Sequence, residues 1–138
     1  MSLFKTVRLT ASARVEDGCT IVEEVRRAGP QWRGAELLVA AVAADYATEL
    51  TSAAQRLGIP VEAVQVEASG HLTARRDDRY GLVAIELDAV VLGCAEECDR
   101  IPLAAEVALD RCIVAGALDV PFSHQVRAVP HVLEEAVS

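Results

Sequence analysis

The chain has 138 residues and is acidic, with a formal net charge of -8 and a pI near 4.8, which opposes binding to nucleic-acid phosphates or to an anionic membrane surface. Its length suits a single domain over residues 1–138. With 52% hydrophobic but only 4% aromatic residues, the interior has to be filled by Ala, Val and Leu rather than by rings.

The start of the chain alternates polar and apolar residues around Lys5 and Arg8, unlike an export signal, and apolar runs such as 37–44 fall short of the ~20 residues that span a bilayer. A cytoplasmic protein with no membrane partner is therefore expected. Four cysteines, Cys19, Cys94, Cys98 and Cys112, are expected as reduced thiols, because a chain of this size with an aliphatic core has no need of disulfides. The Cys-x-x-x-Cys spacing of Cys94 and Cys98 lacks a second close ligand pair, and His71, His124 and His131 are isolated in sequence. No metal and no other cofactor is expected.

In residues 4–14, Val7, Leu9, Ala11 and Ala13 alternate with Thr6, Arg8, Thr10 and Ser12, the period of a half-buried strand. Glu16-Asp17-Gly18 reads as a turn, and 19–25, with Ile21 and Val22, as the returning strand of a hairpin. Residues 26–33, with Gly29-Pro30, form a loop. From 34 to about 57 nothing breaks a helix, alanine is abundant, and Gly58 with Pro60 supplies the stop. Leu38, Ala41, Val42 and Asp45 share one side of this helix, and its alanines suit burial on more than one side.

Val64, Val66 and Ala68 mark a third strand, and the alternating residues from Val83 to Val91 a fourth, joined by a charged turn at 75–80. Asp99 and Pro102 open a short helix toward Cys112, and a last strand runs over 122–129. The order strand, strand, long helix, strand, strand, short helix, strand has no βαβ alternation. It indicates an α+β fold with mostly antiparallel strands packed on the long central helix.

Three segments, in order, resemble the OsmC and organic-hydroperoxide-resistance (Ohr) family. The first is Gly29-Pro30 followed by Glu36-Leu37-Leu38 and the alanine-rich run into Asp45-Tyr46; the second is Leu57-Gly58-Ile59-Pro60-Val61; the third is Cys112-Ile113-Val114-Ala115-Gly116-Ala117-Leu118. The resemblance implies an intertwined homodimer whose pocket lies between the long helix and the C-terminal cysteine. It also implies thiol-dependent reduction of organic hydroperoxides and an oxidative-stress role.

The departures bear on that activity. Where the family has its peroxide-attacking cysteine, this chain has Asp45; where many members have a glutamate ten positions earlier, it has Ala35, with Glu36 one step along. For the family's substrate-binding arginine, Arg8 and Arg14 are the candidates, while Cys112 matches the second reactive cysteine. A carboxylate cannot form a sulfenic acid, so the standard cycle is expected to be lost.

Asp45 reads either as the solvent edge of the helix, with Glu49 and Ser52, or as a buried acid needing a cation from Arg8, Arg14 or Arg33. Cys112 reads equally as a small core residue. The leading expectation is a homodimer without peroxidase activity that keeps a pocket for a small apolar or peroxide-like ligand. The candidate residues are Asp45 and Cys112, with Leu38, Val42, Tyr46, Arg8 and Arg14 lining the pocket. The alternatives are a divergent hydroperoxide reductase pairing Cys112 with Cys19 or Cys98, and a purely structural subunit. His124 is expected to be a satisfied core or interface residue.

Overall fold

Alternation along the first segment produces strand β1 (Thr6–Glu16), which buries Leu9, Ala11, Ala13 and Val15 on one face and leaves Arg8, Thr10, Ser12 and Arg14 on the other. In this computed structural model, residues 6–26, 28–74 and 79–129 are described, those at 95–97 by their backbone only. His131 and positions 75–78 of the expected charged turn lie outside the described residues.

Asp17 and Gly18, both at positive φ (52° and 73°), turn the chain into β2 (Cys19–Val25), as a two-residue hairpin requires. Strands β3 (Ala63–Ala74) and β4 (Tyr80–Leu92) form a second hairpin, and β5 (Phe122–Val129) completes a five-stranded sheet in the order β2-β1-β3-β4-β5. Pairing is antiparallel except between β4 and β5, which run parallel with Ile85 opposite Phe122 and Leu92 opposite Val129.

A 3₁₀ turn at Pro30–Trp32 leads into the long helix α1 (Arg33–Arg56), close to the expected bounds. Its end is a Schellman motif. Gly58 takes φ 72°, its N–H reaches the Gln55 carbonyl, and the Ile59 N–H reaches the Ala54 carbonyl at 2.9 Å. The buried stripe is Val39, Val42, Ala43, Tyr46, Leu50 and the neighbouring alanines. This corrects the expected face: of Leu38, Ala41, Val42 and Asp45, only Val42 is fully buried, and Ala41 is exposed.

The helix lies across β1 and β3 so closely that a Cβ at Gly70 would sit 2.7 Å from the Val39 Cγ2. Its second side meets α2 (Ile101–Arg111), where Ala104, Ala105 and Ala108 are buried, so small residues do allow two close contacts. By length and mean hydropathy, Pro30–Arg56 would also suit a membrane span, contrary to the expectation from run lengths; half of its most apolar window is packed inside the protein. A short helix, α3 (Ile113–Ala117), follows α2 directly.

A 3₁₀ turn at Ala95–Arg100 joins β4 to α2, and here the cysteine expectation fails. Cys94 and Cys98 are joined in a disulfide with Cα atoms 5.2 Å apart, while Cys19 and Cys112 are free. The tight turn brings residues four apart within disulfide reach, which the number and spacing of the cysteines did not register.

Candidate functional site

The middle of α1 and the junction between α2 and α3 meet at one point. The chain leaves helical geometry at Cys112 (φ -66°, ψ 111°) and re-enters it at Ile113, so Cys112 is the N-cap residue of α3. Its thiol is 2% exposed and donates to Asp45 Oδ2 at 3.1 Å. The same oxygen accepts the Val114 N–H at 2.9 Å. The carboxylate therefore satisfies an otherwise unpaired first-turn amide of α3 and holds the sulfur beside it.

Burial pushes the Cys112 thiol up to about 11; the Ala115 and Val114 amides oppose that rise, while Asp45's hydrogen bond and charge add to it. Cys112 is thus a neutral thiol at physiological pH, the opposite of a reactive cysteine, whose surroundings lower its pKa. Tyr46, fully buried one position after Asp45, donates to or accepts from His124 Nδ1 at 3.1 Å. Its phenol is also pushed up, first by burial and then by the charge Cys112 would carry as a thiolate.

His124 points to the helix side of β5, in register with buried Leu87, and packs edge-on against Tyr46 with ring centroids 6.2 Å apart. Sequence reasoning missed this link because it joins residues on α1 and β5; the alternation of Phe122, His124 and Val126 was the available signal.

The arginines fall elsewhere. Arg8 and Arg14 project from the face of β1 that points away from α1, where the Arg8 Nη2 donates to Ser69 Oγ at 3.1 Å and the Arg14 Nε to Glu16 at 2.9 Å. Strand pleating makes this unavoidable, since Leu9, Ala11 and Ala13 take the helix-facing positions. Arg33, exposed at the start of α1, is about 18 Å from Asp45 by helical rise. Among the described residues, none of the three expected arginines bonds Asp45; its carboxylate is held by a thiol and an amide.

Of the expected pocket residues, Val42 and Tyr46 are core, Leu38 is half-buried, and Arg8 lines a separate cleft of about 210 Å³ with Ser69, Glu86, Ser123 and His124. Five clefts on the described surface, that of Arg8 among them, are lined by other residues than Leu38, Val42, Asp45, Tyr46 and Cys112.

Neither candidate sulfur partner faces Cys112. Cys98 precedes α2 and Cys112 follows it, and eleven helical residues separate their backbones by about 16 Å. Cys98 is also bonded to Cys94. Cys19 is exposed, and it is its neighbour Thr20 that meets α1 through the Thr48 hydroxyl at 2.9 Å, so Cys19 points the other way. Among the described residues no group of three His, Cys, Asp or Glu side chains is arranged to hold a metal ion.

Comparison with known proteins agrees with this architecture. Residues 27–125 match the family model for OsmC-like protein. Among solved structures, an OsmC-like protein of unknown function from Vibrio cholerae superposes with a TM-score of 0.59 at 16% identity, covering 92% of this chain and 100% of its own. An organic hydroperoxide resistance protein OsmC from Legionella pneumophila gives 0.57 at 16% identity, covering 93% and 98%. The organic hydroperoxide resistance protein OhrB of Bacillus subtilis gives 0.57 at 14% identity, covering 91% and 98%. No curated protein sequence matches. The family-model match spans α1, β3, β4 and the Asp45–Cys112 contact, and the chain belongs to the OsmC-like family.

Proposed function

We propose that this protein is an OsmC-like homodimer of the cytoplasm that no longer reduces organic hydroperoxides and instead binds a small apolar ligand beside Asp45 and Cys112. The observation that carries the reading is the hydrogen bond from the Cys112 thiol to the Asp45 carboxylate, at the position where the family's attacking sulfur is expected. A carboxylate there supplies no sulfenic acid, and it favours the protonated form of the one free sulfur beside it. The reductase alternative is less well supported, because Cys19 and Cys98 both lie away from Cys112.

The dimer rests on uncovered apolar residues. Leu37 on the outer side of α1 is 60% exposed and Ile113, next to Cys112, is 77% exposed. Strand β2 is exposed along nearly its whole length, with Ile21 and Val22 open. A second copy laid on this side would cover them and wall in the surface beside Asp45, forming a pocket there.

The test is consumption of cumene or tert-butyl hydroperoxide with a dithiol reductant, alongside sedimentation equilibrium. No turnover above the uncatalysed background, from a dimer, supports the reading. Rapid turnover abolished by Cys112→Ser would sink it.

A further inference from the structure

At the other end of α1, distant from Asp45, lies a cleft of about 600 Å³ lined by Gln31, Trp32, Ala35, Leu72, Arg79 and Tyr80. The chain has one Trp, two Tyr and two Phe, and two of these few rings meet at this opening, both only partly buried. Trp32 ends the 3₁₀ turn before α1 and Tyr80 begins β4. Their rings stand edge to face, centroids 4.7 Å apart and planes at 84°. Perpendicular rings form a corner, and Leu72, 6% exposed, lies at its base. A third flat ring placed there stacks on one wall while meeting the edge of the other, both favoured aromatic geometries.

The charge at the opening is equally distinctive. Among the described residues that line it, Arg79 is the only cation or carboxylate, in a chain of net charge -8. Arg79 already holds another interaction, which its five-donor fork can keep while facing an anion. The buried acid Glu36 is not among the groups that line the cleft.

We propose that the Trp32–Tyr80 corner binds a small flat aromatic anion, with its ring against Trp32 and Tyr80 and its charged group toward Arg79. This site is separate from the Asp45 region and stands or falls independently of the hydroperoxide result.

The single Trp provides a local reporter. The full chain is titrated with naphthoate and with the neutral naphthylmethanol while the Trp32 indole N–H resonance is followed. A saturable shift is expected with both, with naphthoate the tighter. Tyr80→Ala should weaken binding of either by about tenfold, and Tyr80→Phe should retain it. Arg79→Gln should weaken naphthoate by about threefold and leave the alcohol unchanged.

If Tyr80→Ala does not fold, the Arg79→Gln comparison of acid with alcohol decides. The proposal is overturned by an indole resonance that does not move, by equal binding to folded Tyr80→Ala, by equal loss of acid and alcohol in Arg79→Gln, or by shifts confined to amides around Asp45 and Ile113.

Discussion

Asp45 and Glu36 are two carboxylates on the same helix with opposite circumstances. Asp45 is partly exposed, and one oxygen serves two donors, the Cys112 thiol and the Val114 amide. Glu36 is 2% exposed; one of its oxygens accepts the Ala28 N–H at 2.6 Å and the other, Oε1, has no partner among the described residues. The less buried acid is the better satisfied. What separates them is the chain opposite: Asp45 faces the start of a new helix, where free amides converge, whereas among the described residues Glu36 meets one loop amide, that of Ala28.

The sharpest way to break this comparison is to replace Asp45 by sulfur. In Asp45→Cys the new thiol lies near Cys112, so a disulfide should form on oxidation, seen as loss of two hydrogens by mass spectrometry of the intact chain. With a hydroperoxide as oxidant, two thiols give a disulfide, an alcohol and water, and consumption should rise clearly above the parent protein. If the variant neither crosslinks nor consumes peroxide, the Asp45–Cys112 contact is not what the geometry implies.

Next in size is the pH response of the buried thiol. The folded pKa of about 11 lies above the ordinary 9.0, so the native state holds a proton that the unfolded chain releases. The contribution is fully present below about pH 9 and is lost as pH rises through about 11, on the order of 2 kcal/mol. Chemical denaturation between these limits should show a steeper decline in the parent than in Cys112→Ala, where the buried Tyr46 phenol still contributes. Equal slopes would mean that Cys112 titrates normally.

Asp45→Ala removes the acceptor of both donors and should destabilise by about 1–3 kcal/mol, with Asp45→Asn, which keeps an oxygen, costing less. An Ala variant as stable as the parent would reduce the carboxylate to a solvent-edge residue. The smallest effect belongs to the other acid. Glu36→Gln can keep the bond to Ala28 while making the partnerless atom uncharged, and its melting should stay within about 1 kcal/mol of the parent or improve. A large loss there would mean that the second oxygen of Glu36 is held after all.

Much of the fold was legible. Strict alternation in β1, the Asp17-Gly18 turn and the Gly58 stop are local signals with local causes, and they placed the first hairpin and α1 almost residue for residue. The burial face of α1 was harder to read: in an alanine-rich helix nearly every side chain can be buried, and only contact with β1, β3 and α2 selects Val39, Ala43, Tyr46 and Leu50. The parallel pairing of β5 depends on the path through α2 and α3, and the Cys94–Cys98 bridge on the pitch of one short turn.

At the site, the sequence by itself determined the residue types: a carboxylate where a thiol is expected, one free cysteine after a helix, and a tyrosine beside the acid. Tertiary structure decided their partners. Strand parity sent Arg8 and Arg14 to the far face of the sheet, and the packing of α2 on α1 brought the Cys112 thiol and the Val114 amide onto Asp45. Chain chemistry is written residue by residue, but a hydrogen bond across sixty-seven positions exists only once two helices have packed.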